Sequence, residues 1–162
     1  MYAVNVSVPK TLVRYLVETE ALEAKNQGNT ALYDVLTSIC ETPVSPELLP
    51  PDKDGSIAQK TEQVLGSYDL HDFFLYHMMR FHESPSKIFD LACHAFPNTD
   101  PKEILKTLRL FYQRFFSQQF KRNVMPDGVK VGSVSFSPRG DWRMPSDASR
   151  SMWMADLDSI EL

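Results

Sequence analysis

Apolar positions recur with a helical period along most of the chain. Ser7-Val8-Pro9 reads as a helix start with proline in the first turn, and Leu12, Val13, Leu16 and Val17 then fall on one face. Asn26-Gln27-Gly28 ends that helix, and Thr30 caps a second, shorter one carrying Leu32, Val35, Leu36 and Ile39. From Thr42 to Gly55, Pro43, Pro46, Pro50 and Pro51 with Asp52 and Asp54 predict an extended surface connection, and Gln59 to Leu65 adds a helical turn or two before Gly66. Between Tyr68 and Phe81, the residues Leu70, Phe73, Phe74, His77, Met78 and Phe81 share a face. Ser84-Pro85 starts another helix, with Ile88, Phe89, Leu91 and Ala92 as its buried side. Asp100 as N-cap, Pro101 in the first position and Glu103 as capping-box partner open the clearest helix of the chain. It is expected to run to about Phe120, burying Ile104, Leu105, Leu108, Phe111 and Phe115 and exposing Lys102, Lys106 and Arg109.

After Phe120 the pattern changes. Turn formers alternate with charges through Pro126-Asp127-Gly128, Ser137-Pro138-Arg139-Gly140-Asp141 and Pro145-Ser146-Asp147. Val129, Val131, Val134 and Phe136 suggest a short strand or hairpin, and the tail beyond Ala148 either docks through Trp153 or frays. The expected fold class is mostly α, ending in an irregular basic segment.

Composition narrows the class further. At 162 residues, 43% hydrophobic and 23% charged, the chain has one domain's worth of globular sequence and is too apolar to be disordered. No run approaches the roughly 20 apolar residues of a membrane span, and the first residues do not form a signal peptide. Cys40 and Cys93 lie far apart and form no CxxC pair, which fits a reducing compartment; the expected address is the cytoplasm.

The net charge of −4 hides an asymmetry. Residues 1–100 carry 7 Lys/Arg against 14 Asp/Glu, whereas from Lys102 to Arg143 nine basic residues face only Glu103, Asp127 and Asp141. Such a local excess suits a phosphorylated small molecule, or simply makes a solvated helix face. The overall negative charge and the lack of a reading module argue against nucleic acid.

Self-contained catalytic motifs are missing from the sequence. It holds neither a Walker spacing nor GxGxxG, and His71, His77, His82 and His94 form no HExxH motif and no i, i+4 pair. Adjacent Cys93 and His94 point in different directions on a helix and so make no nucleophile–base pair. Asp69, Asp72 and Glu62 are ordinary carboxylates near helix N-termini. The unusual part is Gln118-Gln119-Phe120-Lys121-Arg122 followed by Arg139-Gly140-Asp141-Trp142-Arg143. There cations and aromatic faces together suit a nucleotide-like anion, with a loop braced by Arg–Asp pairs as the competing account.

Several segments carry a resemblance: Tyr68-Asp69-Leu70-His71-Asp72-Phe73-Phe74-Leu75-Tyr76; Arg114-Phe115-Phe116-Ser117-Gln118-Gln119-Phe120-Lys121-Arg122; the run from Val131 to Ala148; and Asn5-Val6-Ser7-Val8-Pro9-Lys10-Thr11-Leu12 at the front. Together they resemble the C-terminal part of glutamine-dependent NAD synthetase, over nearly the whole chain and more weakly from Met152 onward. That family joins a nitrilase-like glutaminase to a Rossmann-like α/β synthetase domain of the adenine nucleotide alpha hydrolase type. The synthetase adenylates the carboxylate of deamido-NAD with ATP and magnesium, and ammonia from glutamine displaces AMP. The resemblance therefore implies a helical C-terminal portion of the amidating domain over residues 1–162, without the SGGxDS-type pyrophosphate loop, the parallel sheet or the glutaminase triad. Such a fragment is expected to be inactive alone.

Residue by residue, the resemblance assigns Lys10 and Ser45 to ATP, and Phe120 and Lys121 to deamido-NAD across a dimer interface. Arg122, Arg139 and Arg143 are its candidates for phosphate or loop support, and Gln59-Lys60-Thr61-Glu62 resembles an acidic loop of the nucleotide pocket. It implies no catalytic residue and no metal ligand in this stretch. The implied partners are deamido-NAD, ATP, ammonia, the remaining synthetase and glutaminase domains and other copies of the chain. The alternative from another class is a non-catalytic helical module that assembles the synthetase.

Overall fold

A computed structural model describes residues 2–42 and 65–162, so the expected connection at 42–55, the turn at 59–65, Ser45 and Glu62 lie wholly or largely outside the described residues. The chain divides into two compact units, Pro9–Tyr68 and Met1–Val8 with Asp69–Leu162. Both are helical in their described parts.

The first unit contains a helical hairpin. Helix α1 (Lys10–Asn26) begins after Pro9, which sits at the N-cap rather than inside the first turn. It ends in a Schellman turn: Gly28 takes φ 81°, its amide bonds to Lys25 O and the Asn29 amide reaches Ala24 O. Asn29, not Thr30, then caps α2 (Thr30–Glu41), its side chain accepting from the Leu32 amide at 3.2 Å. Lys25 Nζ lies 4.7 Å from the Tyr33 ring centroid across the hairpin. Only the small residues Ala21 and Ala24 are buried in these helices, while Leu12, Leu16, Leu32, Val35 and Ile39 remain exposed. Of the apolar stripes read from the sequence, Val13, Val17 and Leu36 are half-buried and the rest stay exposed among the described residues.

The second unit holds the core. Helix α3 (Tyr68–Tyr76) continues as a π-helical turn (His77–Phe81), followed by α4 (Pro85–Ala95), α5 (Pro101–Ser117), α6 (Gln119–Asn123) and α7 (Ser151–Asp158). Ile104, Leu108 and Tyr112 on α5 are wholly buried among Leu70 and Phe74 of α3, Met78 of the π turn, Ile88 and Ala92 of α4, and Leu157 of α7. Ser84 caps α4 and Asp100 caps α5, the Asp100 carboxylate accepting from the Lys102 amide at 2.9 Å. Phe81, expected in the core, is exposed. The wider π turn changes the angular spacing after Tyr76, and His82 leaves the helix with φ 57°. Leu91 is likewise only half-buried. Helix α5 stops at Ser117 rather than running through Phe120.

The tail docks chiefly through Leu157, with Trp153 lying 4.7 Å from Phe116. Asp156 accepts from the Ser86 amide at 2.7 Å and from its hydroxyl at 3.2 Å, bracing the start of α4. Arg109 is not a purely solvated side chain: it pairs with Asp158 and donates to Leu157 O at 2.8 Å. The expected valine strand does not form. Instead β1 (Tyr2–Ala3) pairs in parallel with β2 (Asp127–Gly128), in the register Tyr2 to Asp127 and Ala3 to Gly128. These two short strands are the sheet among the described residues. Val129 and Val131 are exposed. Backbone proximity decides this pairing, since a Cβ on Gly128 would sit 2.1 Å from Ala3 O.

Candidate functional site

The basic segment begins where α5 breaks. Ser117 ends the long helix, Gln118 turns the chain, and α6 resumes for only five residues. A helix that short does not persist by its own hydrogen bonds. Gln119 is fully buried, Arg122 is half-buried, and Phe120 and Lys121 between them face solvent.

Arg122 supplies much of the bracing. Its guanidinium carbon lies 4.5 Å from the Phe115 ring centroid and 5.4 Å from that of Phe136. Its Nε donates to Gln119 Oε1 at 2.9 Å, and Nη2 donates to Phe115 O. Burial lowers its pKa to about 10, which leaves it a cation at neutral pH. Gln119 Nε2 donates to Asn123 Oδ1, and Asn123 Nδ2 to Ser146 Oγ, each at 2.9 Å. One chain of bonds thus runs from the end of α5 through α6 to the distal loop.

That loop is braced by its own charges. Ser137 O accepts the amides of Asp141 and Trp142 at 3.0 Å. Arg139 pairs with Asp127 and donates to Met125 O, both at 2.6 Å, while Arg143 donates to Arg139 O at 2.8 Å. Lys130 pairs with Asp141 at 2.5 Å and, with a bond from Ser135, holds that carboxyl below its ordinary range. Trp142 rests 5.2 Å from Phe115. Buried Ser7 fastens the other edge, its Oγ accepting the amides of Val131 at 2.8 Å and Gly132 at 2.9 Å.

Phe120, Lys121, Arg122, Arg139 and Arg143 all lie in this one unit on α6 and the loop behind it. Among the described residues Lys121 makes no ion pair, so its charge is open to a ligand. Lys10 is exposed at the first position of α1, in the other unit. The sequence reading named Ser7 and Gln119 but missed their bracing roles, and it missed Asn123. The i, i+3 and i, i+4 spacing of Gln119, Arg122 and Asn123 was the available signal for Gln119 and Asn123, whereas nothing local marks Ser7 as a partner for residues more than a hundred positions away.

Among the described residues no group of three or more His, Cys, Asp or Glu side chains is placed to hold a metal ion. No helix there is long and apolar enough to cross a membrane.

No family model matches the chain. It is 40% identical, over 179 aligned positions and 99% of its length, to the glutamine-dependent NAD(+) synthetase of Mycobacterium leprae, and 38% identical over 97% of its length to those of Mycobacterium bovis and Mycobacterium tuberculosis. In each case it spans about a quarter of the relative's length. Homology that is nearly continuous from one end of the chain to the other, rather than confined to one motif, places it in the glutamine-dependent NAD(+) synthetase family as the counterpart of about a quarter of those enzymes.

Proposed function

We propose that the chain serves as the C-terminal part of the amidating domain of an ATP-dependent ligase, which converts deamido-NAD to NAD with ammonia derived from glutamine. The observation that carries this reading is the 40% identity extending over 99% of the chain. The geometry supports it. Phe120 and Lys121 project from a braced helix, offering a ring face and an unpaired positive charge to a dinucleotide rich in anionic oxygens. Lys10 and Ser45 are the corresponding ATP contacts. ATP would bring the magnesium and accept the attacking carboxylate at its α-phosphorus, releasing pyrophosphate; ammonia then displaces AMP. Groups on this chain bind and orient, and the pyrophosphate loop comes from elsewhere in the enzyme. Incubation of this chain with deamido-NAD, ATP, magnesium and ammonia is expected to give no NAD beside an active full-length control. Turnover would place the whole site within these residues. In the full-length enzyme, Lys121→Ala is expected to raise the KM for deamido-NAD.

A specific observation favours a second reading. The apolar residues that α1 and α2 leave exposed among the described residues, Leu12, Leu16, Leu32, Val35 and Ile39, suit a helical module that assembles the synthetase. Under that reading Lys121→Ala reduces oligomer size in sedimentation and leaves substrate dependence unchanged.

A further inference from the structure

Of the three arginines in the basic segment, Arg122 differs in how completely the protein itself uses its guanidinium. Its guanidinium lies near two aromatic rings, Phe115 and Phe136, and two of its three nitrogens donate within the unit, Nε to Gln119 and Nη2 to Phe115 O. An arginine that grips a phosphate presents its fork of N–H groups outward. This one spends its fork on the end of α5 and on the first residue of α6. Its neighbour Lys121 is exposed and without an ion pair among the described residues.

We propose that Arg122 is a positioning residue: together with the Gln119–Asn123–Ser146 relay it holds α6 in the orientation that presents Lys121 to an anionic group of the dinucleotide substrate, and it is not an anion ligand itself. The inference rests on the reading that Lys121 meets deamido-NAD. Its physical basis is the shortness of α6. Five residues have too few internal bonds to fix a direction. The stacked guanidinium ties their start to α5, and Asn123 ties their end to Ser146 in the loop. Release of either anchor lets Lys121 sample orientations that miss the substrate, so affinity falls while the chemical step is unchanged once substrate is bound.

The test is a double-mutant cycle in the full-length synthetase, with KM for deamido-NAD, KM for ATP, kcat and melting temperature measured for each variant. Lys121→Ala is expected to raise the deamido-NAD KM by about tenfold, the size of one lost charge-assisted bond. Arg122→Lys keeps the charge but loses the fork and the stack, and is expected to raise the same KM by about fivefold with kcat and the ATP KM unchanged. Ser146→Ala removes only the distal anchor from an exposed position; it is expected to act in the same direction by about twofold and to keep the melting temperature of the parent. In the Lys121→Ala background, neither second substitution is expected to add anything.

Full additivity of Arg122→Lys with Lys121→Ala, or retention of parental KM by both Arg122→Lys and Ser146→Ala, overturns the proposal. A rise in the ATP KM with Arg122→Lys does the same. If Lys121→Ala itself leaves the deamido-NAD KM unchanged, the reading of the site fails instead, and the cycle tells the two failures apart.

Discussion

Helices α2 and α5 both carry amphipathic patterns legible in the sequence, yet α5 buries eight side chains and α2 buries none. Ile104 and Leu108 have no exposed surface, whereas Val35 is 56% and Ile39 58% exposed. The difference lies in the neighbours. Helix α5 is packed against α4 and α7, and α2 against α1. A hydrophobic stripe is a local property of the chain, while its burial depends on what else arrives to cover it.

The largest expected effect tests that contrast directly. Leu108→Ala should destabilise the second unit by about 3 kcal/mol, since a fully buried leucine loses its contacts and leaves a cavity. Val35→Ser should cost less than about 0.5 kcal/mol in the same urea titration. A comparable loss for both would mean that α2 is covered in solution.

Gly128→Ala comes next, because the new Cβ would meet Ala3 O at 2.1 Å and force β1 away from β2. A loss of about 2 kcal/mol is expected, with faster amide exchange at Val131 and Gly132 as Ser7 is displaced. Retained protection at those amides would show that Ser7 holds the loop without the strand pair.

Tyr112 lies on the same α5 face as the core leucines, and its buried hydroxyl has no partner among the described residues. Tyr112→Phe is therefore expected to stabilise by about 1 kcal/mol. Burial, aided by Asp156, also raises the pKa of this phenol. A raised folded pKa means that the native state keeps the proton longer than the unfolded chain, so its stabilising contribution is complete below about pH 10 and is lost as pH rises beyond it. The phenylalanine variant should lack that component of the alkaline decline in chemical denaturation. An unchanged alkaline limb would show that this phenol does not hold its proton more tightly in the folded protein than in the unfolded chain.

Asp156→Asn is expected to destabilise by a similar amount, about 1 kcal/mol, through its bonds to the Ser86 amide and hydroxyl. Limited proteolysis should then cut within α7 sooner than in the parent. No change in cleavage would leave Leu157 as the sufficient anchor of the tail.

Of the candidate site, the residue types at 120–122, 139 and 143 were legible because cations, aromatics and turn formers cluster there in a short stretch. Their division of labour was not. The three arginines look alike in sequence, but Arg122 lies against the Phe115 and Phe136 rings, Arg139 pairs with Asp127, and Arg143 donates to a carbonyl. Each of the three makes a hydrogen bond within the protein itself.

By itself, then, the sequence determined the helix starts at Ser84 and Asp100, the stop at Gly28 and the apolar faces of α4 and α5, because caps, proline, glycine and a 3.6-residue period act within a few positions of one another. Only the tertiary structure decided that β1 pairs with a strand more than a hundred residues away, that the π turn swings Phe81 outward, and that α5 breaks before Phe120. Those outcomes depend on close backbone approach, hydrogen bonds between distant segments and competition among packing partners, none of which leaves a periodic mark on the chain.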